Sequence, residues 1–316
     1  MAAPVRTGMI DVMSDRRDSW SLTGEQSISL ASPLVMGILN ATPDSFHDGR
    51  SDYQDQKAMV RAACAMVDDG ADIIDVGGES TRPGSQRIDP HEQCHRTTNI
   101  IQELSEQRDC LISIDTTHAS VASEALTAGA QIVNDVSAGT EDPALFPLVA
   151  ERGCGLILMH RLVQPEADVY SDQYQAVPDY GSAGVVPAVA EFLLERMESA
   201  HQAGVAPEQV LFDPGLGFGK SVEQNLDLVR GLPELIALLG RPVLLGASRK
   251  SFIGSILGQQ PPAERLFGSL AVAVLAARSG VSVLRCHDVR PTSDVLELVK
   301  AVDRPAHGSG GTIDRS

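Results

Sequence analysis

A chain of 316 residues that is 43% hydrophobic can build either one large α/β barrel or two ordinary domains, so length alone leaves the architecture open. Its 25 Lys and Arg stand against 42 Asp and Glu, a formal charge of −17 that argues against nucleic acid and anionic membranes as partners, although a pocket can still be locally basic. The five cysteines are scattered and never form a C-x-x-C pair, which argues against a disulfide framework or a zinc site and suits a reducing cytoplasm.

Residues 1–32 mix Arg, Asp and Ser without the apolar region of a secretory leader, and they read as a flexible N-terminal segment. A single folded domain is expected over residues 33–303, followed by a second flexible tail, 304–316, that contains H-G-S-G-G-T. No run of about 18 apolar residues occurs, so a soluble protein is expected. The first apolar run, Leu34 to Leu39, ends at Asn40 and opens into T-P-D-S-F-H-D-G. Met59, Ala62, Ala63, Met66 and Val67 then recur at helical spacing up to Gly70, after which Ile73 to Val76 begins a second strand that ends in G-G-E-S-T-R-P-G.

The same strand-then-helix rhythm returns in Leu111 to Asp115, Ile132 to Asp135, Leu156 to His160, Val210 to Asp213, Val243 to Ser248 and Val281 to His287. Eight short apolar strands, each followed by a helical pattern and each with polar or glycine residues at its end, predict a (β/α)8 TIM barrel rather than two doubly wound sheets. The G-x-G-x-x-G that a dinucleotide-binding domain needs after its first strand is missing there.

In such a barrel the carboxyl ends of all strands meet on one face, so distant residues become neighbours. That face collects Asn40, Thr81, Arg82, Asp115, Asn134, His160, Asp213, Ser248, Lys250, Arg285 and His287. Carboxylates accept paired hydrogen bonds from an N–C–NH₂ edge and an amide can donate and accept beside them, so Asp115, Asn134 and Asp213 suit a flat, nitrogen-rich heterocycle. Arg82, Lys250, Arg285 and His287 concentrate donors and positive charge, which fits a phosphate or pyrophosphate. Each residue also has a duller reading: Asp115 and Asp213 as helix caps, His160 and His287 as structural histidines, and Arg249 as an ion-pair partner rather than a ligand.

Taken together, these stretches resemble dihydropteroate synthases. The matching pieces are M-G-I-L-N-A-T-P-D-S-F-H-D-G (36–49), G-A-D-I-I-D-V-G-G-E-S-T-R-P-G (70–84), S-I-D-T (113–116), I-V-N-D-V-S-A-G (132–139), F-D-P-G-L-G-F-G-K (212–220), G-A-S-R-K-S-F-I-G (246–254) and L-R-C-H-D-V (284–289). The resemblance implies condensation of 6-hydroxymethyl-7,8-dihydropterin diphosphate with 4-aminobenzoate, giving dihydropteroate and pyrophosphate in the folate pathway. It implies that Asp115, Asn134, Met159, Asp213 and Lys250 hold the pterin, and that Asn40, Arg82, Arg285 and His287 hold the diphosphate, with Asn40 also a ligand to Mg²⁺. Thr81, Pro83, Phe218, Ser248 and Ser251 frame the aminobenzoate in the same reading, with Lys250, Asp115 and Arg285 as the catalytic set, and a homodimer is implied.

The chain departs from the family pattern after His160, where R-L-V-Q-P-E-A-D-V-Y-S-D-Q-Y replaces M-x-G-x-P, and this stretch reads as a solvated excursion. His47 and Arg50 stand in a loop that usually carries smaller residues. Two other functions compete: a pterin-dependent methyltransferase, which has little use for T-R-P-G-S, S-R-K-S and R-C-H together, and a catalytically silent pterin-binding paralogue, which has no need to keep Asn40, Arg82, Lys250, Arg285 and His287.

Overall fold

The computed structural model describes residues 18–22, 26–42 and 53–303. The expected tails over 1–17 and 304–316, and the loop that carries His47 and Arg50, lie outside the described residues.

Two short strands, β1 (Ser19–Ser21) and β2 (Ser27–Ser29), pair antiparallel. The other eight are β3 (Leu34–Asn40), β4 (Ile73–Gly77), β5 (Leu111–Asp115), β6 (Ile132–Asp135), β7 (Gly155–Met159), β8 (Val210–Asp213), β9 (Leu244–Leu245) and β10 (Val283–Cys286). They pair in parallel in the order β8-β7-β6-β5-β4-β3-β10-β9. A parallel bridge from Phe212 to Val243 brings β8 back to β9, so the sheet closes on itself as the expected (β/α)8 barrel.

Helices α1 (Tyr53–Asp68), α2 (Pro90–Gln107), α3 (Ala119–Ala128), α4 (Leu145–Arg152) and α5 (Val185–Gln202) follow β3 to β7. After β8 come α6 (Val222–Arg230) and α7 (Leu232–Leu239); α8 (Ser251–Ile256) and α9 (Leu266–Arg278) follow β9, and α10 (Val289–Asp303) follows β10. Strand β9 is shorter than the apolar run Val243 to Ser248 suggests, because the chain leaves the sheet at Gly246 and turns at Arg249, whose φ is 59°.

Side chains on a strand alternate between the two faces of the sheet, and here that alternation sorts the core into two bodies. Met36, Ile73, Ile132, Ile157, Leu211, Leu244 and Val283 point into the barrel near the strands' amino ends. Their neighbours Val35, Ile74, Val133, Leu156, Val210, Leu245 and Leu284 face outward onto the helices.

The inner apolar layer needs a floor, and residues 18–22 and 26–32 supply it, within the stretch 1–32 expected to be a flexible leader; 1–17 and 23–25 lie outside the described residues. Trp20, Leu22 and Leu30 are buried against that layer, and the Trp20 indole donates to the Gln209 carbonyl at 2.7 Å. A Cβ on Gly155 would stand 2.8 Å from Leu22 and 3.0 Å from Trp20, so β7 starts with the one residue that leaves room for the plug. The alternation Ser19, Trp20, Ser21, Leu22 is a half-buried strand pattern visible in the sequence.

Candidate active site

Two residues beyond the inner apolar layer, the same parity brings a second ring of side chains into the barrel: Ile38, Asp75, Asn134, Met159, Asp213, Gly246 and Arg285. The ring is polar because it meets a cavity of about 630 Å³ at the strands' carboxyl ends. Asn40, Thr81, Arg82, Pro83, Phe218, Ser248, Lys250, Ser251, Arg285 and His287 all line that cavity, so ten of the residues singled out in the sequence share one space.

Asp115, Asn134, Met159 and Asp213 are buried and do not line it. Arg285 joins the two groups. Its Nη2 donates to Asp115 Oδ2 at 2.8 Å and its Nε to Asp75 Oδ2 at 2.6 Å, while Asn134 Nδ2 donates to the same Asp75 oxygen at 3.1 Å. Among the described residues the second oxygens, Asp75 Oδ1 and Asp115 Oδ1, are buried without a hydrogen-bond partner. Such acceptors are costly unless a donor-bearing ligand meets them. Asp213 Oδ1 accepts from the Gly215 amide at 2.7 Å, a local turn bond of the kind a strand-ending Asp makes, and its Oδ2 lies 4.0 Å from where a Cβ on Gly246 would stand.

Burial, with the carboxylates of Asp75, Glu79 and Asp135 adding to it, lifts the Asp115 carboxyl to about 7 against the opposing pull of Arg285. Burial also raises Asp213, opposed by the Gly215 amide and Lys250. Lys250 crosses Gly217 to place Nζ 4.0 Å above the Phe218 ring, and burial together with Arg285 lowers its ammonium to about 8. His287 is pushed down to about 4 by burial and by Arg285, Arg249, Lys250 and Arg82. That shift favours the neutral imidazole, which can offer a hydrogen bond, and its Nδ1 is 3.1 Å from Ser248 Oγ. Arg249 pairs with Asp288 at 2.6 Å, as its reading as an ion-pair partner anticipates.

His160 belongs to another role. It points out of the barrel, packs against Tyr180 and Phe192, and stands 2.9 Å from Lys220 Nζ. Lys220 is fully buried, and its Nζ also donates to the carbonyls of Gly215 and Phe218 at 3.0 and 2.8 Å. Burial lowers both groups, Lys220 to about 7 and His160 well below the ordinary histidine value. A buried ammonium with three acceptors ties down the D-P-G-L-G-F-G loop, and Gly215 there has φ 66° and leaves no room for a Cβ, which would collide with the His160 carbonyl.

The segment after β7 is no solvated excursion. Asp168 and Ser171 are buried at 5% and 3% exposure, and Asp168 Oδ2 accepts from the Gly219 amide at 3.0 Å. The Ser171 amide donates to Ser251 Oγ at 3.2 Å, and Tyr170, Asp172 and Gln173 reach the cavity. Polar composition suggested water as the partner; the partners are instead the Gly219 amide and the Ser251 hydroxyl of two other strand-end loops.

Sequence reasoning overlooked Asp75 and Lys220. Asp75 precedes its strand's end and so escapes a reading confined to strand ends, but counting two from buried Ile73 finds it. Lys220 is one of only four lysines, Lys57, Lys220, Lys250 and Lys300, and it closes a glycine-rich strand-end loop, a signal available without coordinates.

Known proteins are similar to this chain in sequence and fold. A family model described as pterin binding enzyme matches residues 36–287. The dihydropteroate synthase of Mycobacterium leprae is 46% identical over 280 residues, covering 87% of this chain and 95% of that protein. Among solved structures, a Xanthomonas albilineans dihydropteroate synthase with 4-aminobenzoic acid superposes with a TM-score of 0.80 at 38% identity, covering 91% of this chain and 99% of that one. Another, in complex with 7,8-dihydropteroate, gives a TM-score of 0.76 at 34% identity, covering 90% and 99%.

Proposed function

We infer the reaction of this chain from the family to which it belongs, the dihydropteroate synthases among the pterin binding enzymes. It is a transferase that condenses 6-hydroxymethyl-7,8-dihydropterin diphosphate with 4-aminobenzoate, forming 7,8-dihydropteroate and releasing pyrophosphate. The observation in this chain that carries the reading is the pair of partnerless buried oxygens on Asp75 and Asp115, joined through Arg285 to a cavity lined with cations. Acceptors suit the N–H edge of a flat ring and cations suit its leaving group.

Asp115, Asn134, Asp213 and Lys250 hold the pterin in this reading, with Met159 beneath its ring. Arg82, Arg285 and Lys250 favour the negative charge that builds on the diphosphate as its oxygen leaves the pterin methylene, and His287 donates as a neutral group. The cation left on the methylene is delocalised into the ring, so holding that ring still is the main catalytic task. The 4-aminobenzoate amine attacks the methylene carbon and loses a proton; the amine is already a nucleophile and needs no activating triad. Thr81, Pro83, Phe218, Ser248 and Ser251 form its side of the cavity.

Mg²⁺ is proposed beside the diphosphate. Among the described residues no cluster of three or more His, Cys, Asp or Glu could hold a metal, so a protein cage is not the model. The donor set fits Mg²⁺ in another way: Asn40 brings one amide oxygen into the cavity, and Mg²⁺ takes most of its ligands from phosphates and water. A Cβ on Gly77 would stand 3.9 Å from Asn40 Oδ1 and 3.6 Å from Asp115 Cβ, so this glycine keeps the space between metal donor and pterin acid clear. When bound, the ion supplies charge neutralisation on the departing diphosphate.

A homodimer in the cytoplasm completes the proposal. Phe267 and Leu275 on α9 and Leu298 and Val302 on α10, neighbouring helices, are exposed at 81%, 55%, 65% and 68%, an apolar face suited to a second copy. The five cysteines are free, as a reducing compartment favours, and among the described residues no helix is long and apolar enough to cross a membrane. The reaction is tested by measuring pyrophosphate release with both substrates, with and without 4-aminobenzoate. Release that depends on the amine, with pteroate recovered, supports the reading; methyl transfer, or tight pterin binding without turnover, would refute it.

A further inference from the structure

We infer that Tyr170 and Asp172 form an arylamine-selectivity wall, which limits the size and charge of the group para to the attacking amine. The inference rests on the condensation proposed above and concerns residues that the resemblance assigns no role.

The stretch that carries them is built into the site. Its start is held to the T-R-P-G loop by the Gly84 amide, which donates to the Pro165 carbonyl at 2.7 Å, and by Arg87, whose Nε lies 3.2 Å from Glu166. Its middle is held to D-P-G-L-G-F-G-K, where the Gly219 amide donates to Asp168 at 3.0 Å and Tyr174 donates to the same carboxylate. Its far end is held to the S-R-K-S loop and α6, where the Ser171 amide meets Ser251 Oγ and Asn225 donates to Ser171 Oγ at 3.0 Å. Buried Asp168 and Ser171 alternate with exposed Val169, Tyr170 and Asp172, so the anchors turn inward while the intervening residues are left to water or to the cavity. A turn closed by the Gln173 amide on the Tyr170 carbonyl at 2.8 Å presents Tyr170, Asp172 and Gln173 to the cavity.

Chemistry orients the aminobenzoate relative to this wall. The amine must reach a methylene carried by a ring held over Asp115 and Asp213, inside the barrel, so the para substituent points outward, toward Ser251 and the turn bonded to it. Among the described residues that line the cavity, Asp172 is the single carboxylate, and it shares that lining with Arg82, Arg249, Lys250, Arg265 and Arg285. One carboxylate on the substrate is welcomed by those cations. An amide-linked extension that carries its carboxylate further out meets Asp172 and the Tyr170 ring instead, and is opposed by like charge and by bulk.

The test compares 4-aminobenzoate with 4-aminohippurate, in which the carboxylate is displaced outward by one amide and one methylene, using the full chain and dihydropterin diphosphate. The readout is the ratio of kcat/KM for the two amines, together with KM for the pterin diphosphate. Asp172→Asn is expected to raise the ratio for the longer amine about fivefold, the size of one Coulomb interaction at contact in water. Tyr170→Ala is expected to raise it as well, with pterin diphosphate KM unchanged in both, while Val177→Ser, 70% exposed on the same segment and away from the cavity, leaves the ratio where it was. A wild-type chain that makes pteroate but shows the same ratio in all three variants overturns the wall alone. A wild-type chain that makes no pteroate overturns the wall and the proposed condensation together.

Discussion

Arg285 Nε lies 2.6 Å from Asp75 Oδ2, a contact inside the barrel between residues 210 positions apart. Asp75 is fully buried, and it also accepts from Asn134, so one carboxylate orients both a cation of the diphosphate half and an amide of the pterin half. Asp75→Ala leaves a buried guanidinium with Asp115 as its remaining partner and should cost about 3 kcal/mol of stability. Urea unfolding measures it; an unchanged midpoint would remove Asp75 from the network.

Asp213→Asn replaces a charged acceptor by a neutral one while keeping its shape and the Gly215 turn bond. Pterin affinity should fall by about 1.5–3 kcal/mol, the worth of a hydrogen bond to a charged group. Calorimetric titration with a pterin reads this directly, and equal affinity in both proteins would show that the ring does not lie on Asp213.

The site should have a narrow pH optimum. Asp115, raised to about 7 chiefly by burial, gains its charge as pH rises through that value; Lys250, lowered to about 8 by burial and Arg285, loses its charge above it. If both charged forms act, kcat/KM for pterin diphosphate climbs toward pH 7 and falls beyond pH 8. Lys250→Ala should depress turnover severely and flatten the alkaline limb. An alkaline limb that survives in that variant belongs to another group.

Trp20→Ala empties the barrel floor and leaves the Gln209 carbonyl without its indole donor. A loss of about 3–5 kcal/mol is expected, as for other buried aromatics. Thermal unfolding should shift strongly while KM for both substrates stays close to wild type, since the plug and the cavity lie at opposite ends of the strands.

Phe267→Glu places a charge on the apolar face shared by α9 and α10. Sedimentation equilibrium should report a dimer for the wild-type chain and a monomer for the variant. A wild-type monomer at micromolar concentration would end the dimer proposal.

The barrel and much of its site are legible in the amino-acid order because they follow from period. Alternating apolar residues, helical repeats and glycines or acids at strand ends locate all eight strands, three of them with the limits found in the structure: Leu111–Asp115, Ile132–Asp135 and Val210–Asp213. Strand-end position likewise singles out Asn40, Thr81, Arg82, Ser248, Lys250, Arg285 and His287 among the residues that line the cavity. What the order alone could not settle is pairing across the barrel. That Asp75 meets Arg285, that Lys220 ties His160 to a glycine-rich loop, and that Asp168 and Ser171 pin a polar segment against Gly219 and Ser251 are decided by closure of the sheet, which brings together groups more than fifty residues apart. Burial and neighbouring charge then shift their titration: the same closure raises the Asp115 carboxyl, and burial with Arg285, Arg249, Lys250 and Arg82 around it lowers His287.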